Sequence, residues 1–155
     1  METLPSVKAN SPSEVSDAIL VSFDAHWETI FTNEAVEAFI RKRLPQNVQP
    51  RFVYVYCGAP HSRISAKAEI KSLGEISLKE AVAKASALKL TKQEILDYCV
   101  GRDKIGICHL GRIHKAKKPL DLAALRSCLT FHPPQSFLIL SKFGKATIDK
   151  LGSFR

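Results

Sequence analysis

The stretch Ile30–Tyr56, IFTNEAVEAFIRKRLPQNVQPRFVYVY, decides how the rest of the chain is read. Its end, continued to Arg51–Cys57 (RFVYVYC), alternates at period two. Phe52, Tyr54 and Tyr56 fall on one face, and Arg51, Val53, Val55 and Cys57 on the other, so this is a strand. Leu44–Pro50 before it holds two prolines and reads as a loop. Ala35–Arg43 (AVEAFIRKR) has helical propensity. As a strand it would place Val36, Ala38, Ile40 and Lys42 on one face, and Glu37, Phe39, Arg41 and Arg43 on the other. Arg41, Lys42 and Arg43 therefore stand between two elements that must be buried. Either they are solvated charge, or the two arginines share a ligand on one face while Lys42 points the opposite way.

Upstream, residues 1–17 are rich in Ser, Pro and Asn and read as a tail. They have no basic start followed by an apolar core, so they are no secretory signal. Asp17–Phe23 is a first strand. Asp24 suits an N-cap for a short helix, Ala25–Thr32, ended by Asn33. Trp27, Ile30 and Phe31 fall at helical spacing and face a core, although Trp27 also suits stacking on a base.

Downstream, Ser62–Ile70 reads as a strand with Ile64, Ala66, Ala68 and Ile70 inward. Ser77 with Glu80, and Thr91 with Glu94, are capping boxes that open two helices, an excursion between strands. Gly101 closes the second. Ile105–Leu110 and Gly111–Lys118 resume the sheet until Pro119. Leu120–Arg126 is a short turn or helix, Gln135–Leu140 a last strand, and Ser141–Phe154 a basic terminal helix. This pattern predicts an α+β domain over residues 18–155, with a small curved sheet or β-barrel, flanking helices and a helical insertion.

The 155 residues carry a net charge of +8, and it is unevenly placed. Residues 1–100 hold 12 Lys+Arg against 12 Asp+Glu, and residues 101–155 hold 11 against 3, so the excess lies in the last third. Such a one-sided field favours a polyanion. The alternative is a basic surface that only aids solubility. No apolar run reaches the roughly 18 residues of a membrane helix, so no membrane partner is expected. Cys57, Cys99, Cys108 and Cys128 form no close pair and read as reduced thiols, which places the chain in the cytoplasm. Cys99, Cys108, His109 and His114 lack zinc-ligand spacing, so neither a metal nor a cofactor is expected. His26, His132, Ser136 and Asp24 are chemically able to serve a nucleophile, but no spacing singles them out. Oligomeric state is not legible.

LVSFDAHWETIFTNE (20–34), RKRLP (41–45) and FVYVYCGAP (52–60), taken in order, resemble the ASCH domain of the PUA-like superfamily. LTKQEILDYCVGRDKIGICHLGRIHKAKKPLDLAAL (90–125) and PPQSFLIL (133–140) resemble a bacterial branch of it. The resemblance implies a small PUA-like barrel with a cleft beside the first helix and the following strand. It also implies RNA recognition. Some members act as amidohydrolases on acetylated cytidine, and others are associated with RNA cleavage. The family signature is G-x-K-x-x-x-x-R. Asn33 stands at its glycine place and Ala35 at its lysine place. Ile40 stands at its arginine place, with Arg41 one residue later, so the stretch holds one extra residue or a shifted register. Ala35 cannot transfer a proton, attack a carbonyl or hold a phosphate, so the signature does not carry the amidohydrolase chemistry here.

The expected function is a module holding RNA, or single-stranded DNA, in a basic cleft. The alternative is an RNA-directed nuclease or acetylated-cytidine amidohydrolase that uses other cleft residues. The expected contacts are Arg41, Arg43 and Lys42 on phosphate, and Tyr56 as a stacking ring unless it belongs to a core stripe with Phe52 and Tyr54. Arg63 and Lys67 would form a polar rim, with His61 beside them. Arg112 and Lys115 belong to a basic stretch that either tracks a phosphate backbone or is a solvated edge strand. Gln135 and Ser136 either bond a ligand or satisfy backbone groups where the last strand begins.

Overall fold

The computed structural model describes residues 15–33, 36–128 and 131–154. Six strands form one mixed sheet: β1 (Val15–Phe23), β2 (Ala38–Arg41), β3 (Phe52–Cys57), β4 (Arg63–Ser77), β5 (Lys104–Asp121) and β6 (Phe137–Ser141). Their order is β2-β5-β4-β3-β1-β6. Only β1 and β3 run parallel; the other four pairings are antiparallel. The helices are α1 (Trp27–Asn33), α2 (Leu78–Ala83), α3 (Ala85–Leu88), α4 (Lys92–Tyr98), α5 (Leu122–Cys128) and α6 (Lys142–Gly152).

The ambiguous segment at 35–43 forms β2, paired with β5 from Ala38↔His109 to Arg41↔Gly106. Tertiary pairing overrides its helical propensity. Ala38 and Ile40 pack beneath the helical excursion with Leu88, Ile95 and Ile107, while Phe39 turns into the central core. Both capping boxes form: Ser77 Oγ accepts from the Glu80 amide at 3.1 Å and Thr91 Oγ1 from the Glu94 amide at 3.0 Å.

The sheet is open rather than closed, with β2 and β6 as its edges. It is nonetheless curled. Phe39 on β2 meets Phe23 on β1 edge-on at 5.2 Å, although three strands separate them in the ladder order. Inside the curl lie Ile19, Val21, Phe23, Val53, Val55 and Cys57. The outer face of β1 and β3 buries Leu20, Tyr54 and Tyr56 against Ile148 of α6 and Leu125 of α5.

Two irregularities depart from the sequence expectations. Ile64 joins this outer cluster rather than the interior, because Ser65 is an extra residue between Tyr56↔Ile64 and Val55↔Ala66 and reverses the alternation. Pro119 does not end β5. Pairing passes from Ala66↔Lys115 to Ile64↔Leu120, so residues 116–119 bulge opposite Ser65, where a proline has no ladder bond to donate. The first strand also starts at Val15, two residues before the expected Asp17.

Candidate nucleic-acid cleft

β1 and β6 pair only as far as Val21↔Phe137. Beyond that point the two chains part, and β2 approaches the gap from the opposite edge of the sheet. The Ser22 carbonyl, which would continue the ladder, instead accepts a hydrogen bond from Arg41 Nη2 at 3.0 Å. Arg41 Nη1 donates to its neighbour Ile40 O at 2.9 Å. The guanidinium lies 4.3 Å from the Phe23 ring centroid and 5.5 Å from that of Phe39. Burial pushes its pKa down, opposed by Tyr98 and Asp24, yet an arginine so placed keeps its charge. Arg41 thus fastens the seam of the curled sheet with two of its five N–H donors, and the other three have no partner among the described residues.

The gap is a cleft of about 380 Å³. Arg41 and Gln135 line it, with Trp27, Phe39 and Tyr98 as aromatic walls and Asp24, His26 and Glu94 as polar groups. Tyr98 comes from the helical excursion. Its hydroxyl accepts from the Lys42 amide at 3.1 Å, and the Lys42 ammonium lies 4.9 Å from its ring centroid, so α4 is fixed against the end of β2. The Ser22 hydroxyl is buried and has no hydrogen-bond partner among the described residues.

The other expected contact residues are dispersed. The strand ends at Arg41, so Lys42 and Arg43 leave the sheet as exposed residues; Arg43 does not line the cleft, and the expected two-arginine clamp does not form. Tyr56 is buried against Phe131 in the outer cluster. Arg63 is committed to Glu28 through Nε and Nη2, each at 2.7 Å. Ser65 Oγ also donates to Glu28, and the Arg63 bonds lead in holding that carboxyl down at about 2. Lys67 is 3% exposed; it donates to Asp149 at 3.0 Å, and the Tyr54 hydroxyl donates to the same carboxylate oxygen, pinning α6 to the sheet. Arg112 and Lys115 are both exposed on β5. Arg112 lies in a register shift of β5, where residues 111–112 face Glu69 alone, and Lys115 pairs with Ala66 three residues on. Ser136 is half-buried just before β6, and only its neighbour Gln135 lines the cleft.

Tyr98 and Glu94 were missed from sequence because nothing local announces that the excursion folds back over β2. Ala35, at the signature lysine place, lies outside the described residues. A larger cavity of about 760 Å³ beside β1 and α6 is lined by Asp17, Lys142, Lys145 and Asp149. Three of these charges are matched, Lys145 to Asp17 at 3.1 Å and Asp149 to Lys67. Among the described residues no three His, Cys, Asp or Glu side chains group as metal ligands, and no helix is long and apolar enough to cross a membrane.

No protein-family model matches the sequence, and no curated protein matches it. Solved structures do match. The crystal structure of ASCH from Zymomonas mobilis superposes with a TM-score of 0.78 at 19% identity, over 87% of this chain and 95% of that one. The chain has the ASCH fold. A tyrosine-to-phenylalanine variant of the same Zymomonas mobilis protein gives a TM-score of 0.80 at 17% identity, over 88% and 99% of the two chains. The N-terminal domain of Staphylothermus marinus McrB is more distant, with a TM-score of 0.58 at 10% identity over 88% and 94%. In this version of the ASCH fold, Asp24, His26, Arg41, Glu94 and Gln135 line the cleft where β1 parts from β6. Arg41 is the one cation among the cleft-lining residues named above.

Proposed function

We propose that the chain is a nucleic-acid-binding module that takes an unpaired base, of RNA before single-stranded DNA, into the cleft between β1, β6 and β2. The observation that carries this reading is Arg41. It is a half-buried guanidinium lining an aromatic-walled cleft, with three donors that have no hydrogen-bond partner among the described residues. A base has a flat face for Trp27 or Tyr98 and polar edges for Arg41, Gln135 and Asp24. A pocket of this size holds a nucleoside and excludes a duplex. The net charge of +8 adds a sequence-independent attraction, and the ASCH fold is consistent with both.

Arg41→Lys keeps the charge but loses the planar fork, and Gln135→Ala removes an exposed amide without disturbing the core. Each should weaken binding of a uridine octanucleotide at low salt, by about 1 to 2 kcal/mol for Arg41→Lys. Unchanged affinity in both variants would refute the cleft.

Asp24, His26 and Glu94 in one cavity support a second reading, hydrolysis of the bound nucleotide or of an acyl group on its base. Product from labelled RNA or acetylated cytidine that is lost in His26→Ala would favour it.

A further inference from the structure

The cleft meets α1 at one end only. At the other end of that helix a second cavity, of about 340 Å³, is lined by Phe31, Thr32, Asn33, Gly111, Ile113 and Lys115. Trp27 in the first cavity and Asn33 in the second are six residues apart, so on the order of 9 Å of helix separates them. Lys115 opens the bulge of β5. Lys117 and Lys118 follow within that bulge, and all three are exposed. Four other cations near the sheet are matched: Arg63 by Glu28, Lys67 by Asp149, and Arg51 and Lys145 by Asp17. Among the described residues no carboxylate pairs with Lys115, Lys117 or Lys118. Lys115, the last paired residue before the bulge, lines the cavity at the far end of α1, and the four residues looped out opposite Ser65 carry two further unmatched ammonium groups, those of Lys117 and Lys118.

We propose that Lys115, Lys117 and Lys118 form a phosphodiester-binding subsite, and that a single strand with a base in the Arg41 cleft runs along α1 to reach it. This rests on the cleft reading above and adds a direction and a minimum length to it. Ammonium groups on long flexible stems suit phosphates whose spacing varies, whereas the fork of Arg41 suits one fixed edge. The rival role for Lys115 is structural, because a cation at a helix C-terminus stabilises the last carbonyls.

The test uses the full chain, a uridine octanucleotide of RNA and uridine monophosphate. In Lys115→Gln/Lys117→Gln/Lys118→Gln, octanucleotide affinity should fall about tenfold, and the slope of log affinity against log salt should become shallower by about 2. Monophosphate affinity and melting temperature should not change. Octanucleotide affinity equal to wild type overturns the subsite and leaves the cleft standing. So does an equal loss in the charge-matched Lys79→Gln/Lys142→Gln/Lys150→Gln, which would mean that only net charge matters. A lowered melting temperature with unchanged binding assigns the lysines to α1 and also overturns it. Wild-type protein that binds neither probe refutes the cleft reading, and the subsite with it.

Discussion

Arg41 shows how one side chain can be both fastener and reader. Its contacts to Ser22 O and Ile40 O hold the end of β2 against β1, and the same side chain lines the cleft. Position 22 carries a cost beside that anchor. The Ser22 hydroxyl is buried and unsatisfied among the described residues, a state worth roughly 1 to 3 kcal/mol of lost hydration. Ser22→Ala keeps the carbonyl that Arg41 needs and removes the orphan. It should therefore leave stability unchanged or raise it by up to about 1 kcal/mol in urea denaturation. A clear loss would mean that the hydroxyl has a partner in solution.

At the level of elements, β2 is held by a close approach to β5. A Cβ on Gly106 would stand 2.8 Å from the Arg41 carbonyl and 3.2 Å from Leu44. Backbone cannot yield as a flexible side chain does, so Gly106→Ala should lift the end of β2. The expected result is a loss of about 1 to 3 kcal/mol in denaturant melts, with weaker binding through displacement of Arg41. What could be read from sequence follows the range of the forces involved. Ser77–Glu80 and Thr91–Glu94 were legible because both halves of each box lie within one turn. The strand Phe52–Cys57 was legible because its two faces enter two different cores and so alternate without a break. Ala35–Arg43 stayed open because its pairing partner lies more than sixty residues away on β5. The reversal at Ser65 was hidden for the same reason, since a bulge is defined by the opposite strand. Arg41 and Gln135 were among the expected contacts and do share a cleft. Arg63 and Lys67 were expected at a rim and are consumed by Glu28 and Asp149, carboxylates that sequence alone does not place opposite them.

Over the whole molecule, the packing of α1 makes stability depend on pH. Glu28 is held from an ordinary 4.5 to about 2, chiefly by the Arg63 hydrogen bonds and against the effect of burial. A carboxyl depressed in the folded state stabilises fully above its unfolded value and loses that contribution as the pH falls from about 4.5 to about 2. The contribution is at most about 3 kcal/mol. Wild-type protein should thus lose stability steeply across that window. Glu28→Gln should be less stable at neutral pH and nearly equal to wild type at pH 2, as read from urea midpoints at each pH. The seam of the curled sheet has a further consequence. Phe23, Phe39 and Arg41 cross it as side chains, and no backbone pairing joins β2 to β6. A wall joined in this way can widen by turning rotamers while every ladder stays zipped. A guest thicker than the resting gap is then admitted at the cost of a few torsions, and the scaffold behind it keeps its register.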